Sequence, residues 1–360
     1  FLTLSLTSGV KGFGEVSFFG LEQGVLQRLG AYAQTIKGRP ADEIWAWSDD
    51  RSQRENDPVA LVALSGIGQA ALDARARELG IDLREFIGGK RRDRVQVYAN
   101  VNRGTLNRSP EGWAKRAMSA NGDGYRAIKM APFDGLVPGE LGSSEARLKI
   151  SHGIECVAAV RDAVGPEVTI NVDCHGRFDY PNSIDLLGAL SPLDIHWLEM
   201  PLPETGGQAI SQRRLRARAN DIGIRIAGGE LANGPHAIHA MVRAEACDVY
   251  MPDLRLCGGV HGALRIAAYL SDCGLEFSIH NPAGPLLDII SLQTATVAPS
   301  VTMIERQYRE HDFHGRLLSG QQATVVEGML DACRAPGWGV TLDAEALANA
   351  SGPLPEPSDF

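Results

Sequence analysis

The sequence has no excess of basic residues, because 35 Lys and Arg stand against 44 Asp and Glu and the formal net charge is −9. Proteins that bind nucleic acids need a basic surface for the phosphates. The basic clusters of this chain are confined to short stretches at 90–94 and 213–218. We interpret these clusters as solvated faces and expect no nucleic-acid partner.

Cysteine pairs at ligand spacing are also missing. The six cysteines form no C-x-x-C pair, so neither a disulfide framework nor a zinc knuckle is indicated. This pattern fits the reducing cytoplasm. The sequence also lacks low-complexity tracts and any apolar run that we judge long enough to span a bilayer. We therefore expect a soluble globular protein without a membrane partner.

From Val95 onward, short apolar strand patterns alternate with helical patterns. The segment from Ser144 to Val164 has helical spacing with Gly165 as a stop, and so has the segment from Val260 to Leu270. Such alternation favours a closed parallel α/β barrel over an open doubly wound sheet. The eight strand patterns are VQVYANVN, YRAIKM, VTINVD, HWLEMP, IRIAGGE, DVYMPD, EFSIHN and VTMIER.

The first ninety residues have a different pattern, with a hairpin around Ser8 and Gly9 and then helix-rich sequence. The chain starts at Phe1 rather than at methionine, so we expect its true beginning to be missing. We predict a smaller N-terminal domain that is joined by the C-terminal tail, and a barrel domain between them. The predicted domain bounds are 1–92 with 335–360, and 93–334.

Seven successive strand patterns end in an ionisable residue. In a parallel barrel, the carboxyl ends of the strands converge on one rim, where active sites lie. Crowding of charge there costs free energy unless a cation or a reaction needs it, so the pattern predicts a functional cluster. Its members are Lys129, Asp173, Glu199, Glu230, Asp253, His280 and Glu305.

Two groups within this cluster indicate particular chemistry. Asp173, Glu199 and Glu230 supply hard oxygen ligands from adjacent strands, which suit Mg²⁺ rather than Zn²⁺. Asp253 and His280 end neighbouring strands, so the carboxylate can fix the imidazole tautomer and leave the other nitrogen as a base.

The ordered motifs NVDCHGRF, WLEMPLP, AGGE, MPDLRLCGGV and SIHNPAGPL resemble the enolase superfamily, in particular the mandelate racemase subgroup and its galactonate- and mannonate-type acid-sugar dehydratases. The resemblance implies a modified (β/α)7β barrel with an α+β capping domain and Mg²⁺ bound by Asp173, Glu199 and Glu230. It also implies a small carboxylate substrate, a metal-stabilised enediolate formed by α-proton removal, and a homo-oligomer.

The stretch AIKMAPFD bears on the type of reaction. Racemases of the family commonly carry K-x-K here, but Ala131 stands in place of the second lysine, after Lys129. This difference counts against proton transfer on both faces of the substrate. The D-x-H pair formed by Asp173 and His175 resembles that of dehydratases, in which the histidine protonates the leaving hydroxyl. A supporting partner of Asp173 is the alternative role of His175.

Four further assignments concern the substrate. We expect Lys129 and Glu305 to bind its carboxylate, and Glu305 must be protonated to donate a hydrogen bond. Arg177 either binds a distal hydroxyl or carboxylate or forms a salt bridge to a neighbour, and Asn281 faces the substrate.

The leading hypothesis is a Mg²⁺-dependent sugar-acid dehydratase. The alternatives are a racemase or epimerase, and a non-catalytic binding protein on a retained barrel.

Overall fold

The N-terminal region begins with an antiparallel hairpin whose turn contains Ser8 and Gly9, as the sequence predicts. The computed structural model describes residues 1–204, 206–310, 314–320 and 324–349. The elements of the N-terminal region are β1 (Leu2–Ser5), β2 (Lys11–Gly14), α1 (Glu22–Ile36), α2 (Ala41–Ser52), α3 (Pro58–Leu79) and α4 (Leu83–Phe86).

Helix α3 is the central helix of this region and contacts α1, α2 and both hairpin strands. The side chain of Asp57 caps its N-terminus by accepting a hydrogen bond from the N–H of Val59. By length and composition α3 could cross a membrane, which differs from our reading of the sequence. However, 83% of its apolar 18-residue stretch is buried inside the fold. The structure therefore assigns it to the core.

In the described part of the chain between Arg94 and Gln307, eight parallel strands alternate with seven α-helices. The strands are β3 (Arg94–Asn100), β4 (Ala127–Met130), β5 (Thr169–Asp173), β6 (Trp197–Glu199), β7 (Arg225–Gly228), β8 (Val249–Tyr250), β9 (Glu276–Phe277) and β10 (Ile304–Gln307). The helices are α5 (Pro110–Gly122), α6 (Ser144–Val164), α7 (Tyr180–Leu190), α8 (Ala209–Asn220), α9 (Pro235–Arg243), α10 (Gly259–Asp272) and α11 (Pro285–Val297).

The sheet closes on itself. Strand β10 pairs with β3, and the others follow in chain order to β9. Between β9 and β10 the ring is completed by three backbone hydrogen bonds. The N–H of Phe277 donates to the carbonyl of Ser300 at 3.0 Å, the N–H of Thr302 to the carbonyl of Phe277 at 3.3 Å, and the N–H of Glu305 to the carbonyl of Ile279 at 3.2 Å. The predicted α/β barrel of the (β/α)7β type is confirmed.

After β10 the chain returns to the N-terminal region. The buried Trp338 donates its backbone N–H to Asp73 at 2.8 Å and its indole N–H to the carbonyl of Phe13 at 3.1 Å. The division into two domains stays a prediction, and residues 350–360 of the tail lie outside the described residues. The remaining elements are β11 (Leu318–Gly320), β12 (Met329–Asp331), β13 (Val340–Leu342) and α12 (Ala344–Asn349).

Candidate active site

The two-residue period of the strands brings the polar residues into the barrel. Ala127, Trp197 and Met303 belong to the cluster of buried residues inside the barrel. Because side chains at i and i+2 share one face of a strand, Glu199 and Glu305 lie above this cluster at the carboxyl rim. Lys129 does so in the same way, two residues after Ala127. Strand alternation therefore accounts for charged residues at the ends of apolar strands.

Asp173, Glu199 and Glu230 come together at this rim. Each offers a carboxylate oxygen, these oxygens lie within 4.8 Å of one another, and all three residues are buried. Asp173 and Glu199 are direct partners in the register of β5 and β6, and Glu230 lies two residues beyond β7. A group with this geometry could hold a metal ion.

The electrostatics of these three carboxylates fit a divalent cation. Burial raises the pKa of Glu199 to about 8, and the neighbouring Asp173 and Glu230 contribute to the shift. The Oε2 atom of Glu230 is buried and accepts no hydrogen bond. The Nε2 atom of His280 lies 3.1 Å from it, so this contact lacks hydrogen-bond geometry. A cation would relieve the repulsion and satisfy the orphaned oxygen.

Lys129 lies beside these carboxylates and is buried. Its Nζ atom is 2.8 Å from Glu199, 3.0 Å from Glu305 and 3.6 Å from Asp173. Burial alone would lower the pKa of Lys129, but Glu199 and Glu305 raise it well above its ordinary value. Lys129 is therefore a fixed positive charge within the site.

His280 and Asp253 form a hydrogen-bonded pair at the ends of neighbouring strands, with Nδ1 3.0 Å from Oδ2. The Nε2 atom of His280 faces Glu230. Burial alone would lower the pKa of His280, but Glu230, Glu305 and Asp253 raise it to about 9. A cation beside these carboxylates would oppose this shift and favour the neutral ring.

His175 lies between two carboxylates. Its Nε2 atom is 3.0 Å from Oδ2 of Asp173, and its Nδ1 atom is 2.6 Å from Oδ1 of Asp134. Burial alone would lower the pKa of His175, but the charges of Asp173 and Asp134 raise it to about 11. Its backbone has a φ of 48°, which non-glycine residues seldom adopt and which is common at functional sites. The contact with Asp173 fits the supporting role, and the charged ring is a potential proton donor.

The protonation state of Glu305 differs from the one that its expected role as a hydrogen-bond donor requires. Its carboxylate accepts hydrogen bonds from the side chain of Asn100 at 2.6 Å and from the N–H of Asn281 at 2.8 Å. Burial alone would raise its pKa, but Lys129 and His280 lower the pKa of Glu305 to about 2. Glu305 is therefore ionised in this environment, which disfavours the protonated donor that we expected.

Arg177 and Asn281 are close in sequence to the two histidines of the site. Arg177 donates to the carbonyl of Leu136 at 2.9 Å, and its Nε atom is 3.8 Å from Asp134. This contact fits the salt-bridge alternative better than a free substrate-binding group. Asn281 is buried beside His280, and its carbonyl accepts from the side chain of Gln307 at 2.9 Å.

The sequence analysis missed three charged residues that contact the site or its strand-end loops, namely Asp134, Glu204 and Arg255. Asp134 contacts His175, and Arg255 donates to both oxygens of Asp253 at 2.9 and 2.6 Å. The D-x-R spacing after the sixth strand pattern was the available signal for Arg255. Glu204 accepts from the N–H of Gly229 at 2.6 Å, and a Cβ at Gly228 would lie 2.2 Å from its Oε1 atom. This close approach explains a glycine of the AGGE motif.

Comparison with known proteins decides the family. A family model described as enolase C-terminal domain-like matches residues 112–346, more than half of the chain. The chain belongs to the enolase superfamily. Its relatives in this superfamily include proteins named as dehydratases of sugar acids, which are hydro-lyases.

The D-gluconate dehydratase of Thermoproteus tenax is 34% identical over 331 residues, which are 90% of this chain and 64% of that protein. The chain therefore spans less than two thirds of this relative. The D-galactonate dehydratase of Variovorax paradoxus is 26% identical over 98% of this chain and 90% of its own length. Among solved enolase-superfamily structures, a mandelate racemase/muconate lactonizing enzyme from Jannaschia sp. CCS1 has a TM-score of 0.85 and 26% identity, covering 98% of this chain and 92% of that one.

Proposed function

We propose that the protein is a Mg²⁺-dependent dehydratase of a sugar acid or a related hydroxy-carboxylate, and that its product is a 2-keto-3-deoxy acid. The observation that carries the proposal is the 3.1 Å separation between Nε2 of His280 and Oε2 of Glu230, which puts a candidate base beside three candidate metal ligands. The names of the relatives support the substrate class.

In this proposal, Asp173, Glu199 and Glu230 hold the Mg²⁺. When bound, the ion would act as a Lewis acid that stabilises the negative charge developing on the substrate carboxylate. The Nε2 atom of neutral His280 accepts the α-proton. Asp253 accepts the hydrogen bond from Nδ1, and so keeps the proton on that nitrogen and Nε2 free.

The second half of the proposed reaction expels the β-hydroxyl. The electron pair of the broken C–H bond forms a carbon–carbon double bond, and the bond from the β-carbon to oxygen breaks. His175 donates a proton to the departing oxygen, so that water leaves and the remaining enol tautomerises to the ketone. Lys129 binds the substrate carboxylate as a fixed positive charge, while Glu305 keeps Lys129 and the N–H of Asn281 in place.

The test is a screen of aldonates and aldarates with purified protein and Mg²⁺, in which semicarbazide detects the 2-keto acid. A parallel reaction in D₂O separates dehydration from epimerisation, because an epimerase returns deuterated acid of unchanged composition. A protein that binds metal but forms no ketone from the whole panel would contradict the proposal. Deuterated acid without ketone would support the racemase or epimerase alternative.

Three proposals concern the compartment, the assembly and the domain arrangement of the enzyme. All six cysteines are reduced thiols, and five of them are buried, which supports a reducing compartment such as the cytoplasm. A homo-oligomer rests only on the resemblance to the superfamily. The capping role of residues 1–92 and of the tail is proposed on the same ground.

A further inference from the structure

The carboxylate of Glu15, just after β2, reaches from the N-terminal region to the barrel. It is fully buried and accepts hydrogen bonds from the backbone N–H groups of Gly284 and Leu287, the latter at 2.9 Å. These groups belong to the first turn of α11, which has no side-chain cap of its own. The hydroxyl of Ser17 donates to the same carboxylate at 2.9 Å. Glu15 thus caps a barrel helix from a distant part of the chain.

This cap lies at the end of the loop that carries the candidate base. Only the four residues 281–284 follow His280 before α11 begins. A Cβ at Gly284 would lie 2.6 Å from Oε1 of Glu15, so the close approach requires glycine. Fixing Gly284 to Glu15 therefore limits how far the short loop and the ring of His280 can move.

A second contact links the same N-terminal segment to the other half of the pair. The Nη1 atom of Arg255 donates to the carbonyl of Ser17 at 2.9 Å, while its Nε and Nη2 atoms bind the carboxylate of Asp253. Arg255 and Asp253 are both buried. The guanidinium therefore holds Asp253 against the segment formed by residues 15–17.

A chain of hydrogen bonds through α3 closes the network. The N–H of Glu15 donates to Gln69 at 2.8 Å, Gln69 donates to Ser65 at 3.0 Å, and Ser65 donates to the carbonyl of Leu254 at 2.8 Å. Leu254 lies between Asp253 and Arg255. Both strand-end loops are thus bonded to one buried polar network of the N-terminal region.

We propose that Glu15 is a positioning residue, which holds the loop of His280 and, together with Arg255, the carboxylate of Asp253 in the geometry needed for proton abstraction. The inference rests on the proposed function of His280. Proton transfer is sensitive to displacement, since a misplacement of about 1 Å can cost on the order of 100-fold in rate. Residues 15–17 thereby act on the reaction without touching the substrate.

The experiment compares Glu15→Ala and Glu15→Gln with the wild type in the chain of residues 1–360. Alanine removes the cap, whereas glutamine keeps the size but has only one oxygen to accept from the two N–H groups. We expect kcat to fall about 10- to 100-fold in Glu15→Ala and less in Glu15→Gln. The Mn²⁺ affinity should stay within about twofold of wild type, because neither N–H group belongs to the metal ligands. The matched control is Ser143→Ala, which removes the side-chain cap of another barrel helix, α6, and should leave kcat unchanged.

Hydrogen–deuterium exchange provides a readout that needs no substrate. Peptides that cover 281–287 should exchange faster in Glu15→Ala and partly so in Glu15→Gln, while peptides of β5 and β6 keep wild-type rates. If Glu15→Ala fails to fold, Glu15→Gln carries the test. Wild-type exchange and kcat in a folded variant, or faster exchange throughout the chain, would overturn the inference. A wild type that turns over no acid in the panel would refute the proposed function, while the exchange data still decide whether Glu15 holds the loop.

Discussion

The Nδ1 atom of His280 lies 3.0 Å from Oδ2 of Asp253, across the ends of two neighbouring strands. Asp253 is completely buried and also binds Arg255, and these two partners keep its pKa below the ordinary value although burial opposes this. The carboxylate is thus ionised and fixed before any substrate binds. Its geometry orients the imidazole with Nε2 toward Glu230.

Replacing His280 by asparagine should remove the proposed base. We expect kcat for dehydration to fall about 10²- to 10⁴-fold, the range of general base catalysis, and exchange of the α-proton with D₂O to fall in parallel. NMR of the recovered acid and the semicarbazide assay measure the two rates. His239→Asn, on α9 beside Tyr269, is the matched control and should keep wild-type rates. A loss of less than tenfold in His280→Asn would contradict the assignment.

The variant His175→Asn separates the two roles that remain for this histidine. If His175 protonates the leaving hydroxyl, the variant loses elimination about 10²- to 10⁴-fold but still exchanges the α-proton with D₂O. If it only supports Asp173, exchange and elimination fall together and metal binding weakens. We expect the first pattern. Equal losses in both rates, with a reduced Mn²⁺ affinity, would favour the second.

The three buried carboxylates should account for metal binding. Glu230→Gln removes one charged ligand, so we expect the affinity for Mg²⁺ to fall more than about 100-fold, since even outer partners of ligands contribute 10- to 100-fold. Isothermal titration calorimetry with Mg²⁺ or Mn²⁺ measures this change. Glu167→Gln changes an exposed carboxylate and should leave the affinity intact. Unaltered binding by Glu230→Gln would refute the site.

Lys129 and the proposed metal ion would compensate the same negative charges. In Lys129→Met, Glu199 and Glu305 lose their buried counter-ion, and loss of such a partner costs about 3–5 kcal/mol. We expect a lower unfolding temperature in EDTA, a smaller decrease in saturating Mg²⁺, and tighter Mg²⁺ binding than in the wild type. Lys149→Met, from an exposed pair with Glu145 on α6, serves as the control. Equal decreases with and without Mg²⁺ would contradict the argument.

His196 should contribute to the pH dependence of stability. Burial, helped by Arg225, lowers its pKa to about 4, so the folded protein keeps the ring neutral while the unfolded chain takes up a proton below about pH 6.5. This contribution to the free energy of unfolding is present above pH 6.5 and is lost as the pH falls toward 4. In urea unfolding, the free energy of unfolding of His196→Gln relative to that of the wild type should therefore increase as the pH falls from 6.5 to 4. A constant difference from pH 7 to pH 4 would show that the ring does not titrate as stated.

Strand alternation made much of the barrel and its rim predictable. The bounds of α6 agree with the sequence analysis because Ser143 caps one end and Gly165, with a φ of 76°, ends the other. These are local signals. The approach of Glu199 to Asp173 follows from a parallel register, which also needs only the strand pattern.

Contacts between distant segments were not predictable in the same way. Asp134 lies 41 residues before His175, and no periodic pattern links their two loops. The protonated form that Glu305 needs in order to donate a hydrogen bond is disfavoured because its pKa depends on Lys129 and on the N–H of Asn281, which only the folded barrel brings to it. The burial of α3 likewise depends on neighbours that its own composition does not reveal.

The bond between Trp338 and Asp73 joins residues that are 265 positions apart. During translation, Asp73 therefore leaves the ribosome long before Trp338 is synthesised. All eight barrel strands are translated between the two residues. Contacts of such long range slow folding. The N-terminal hairpin can reach its final packing only after Trp338 has been synthesised.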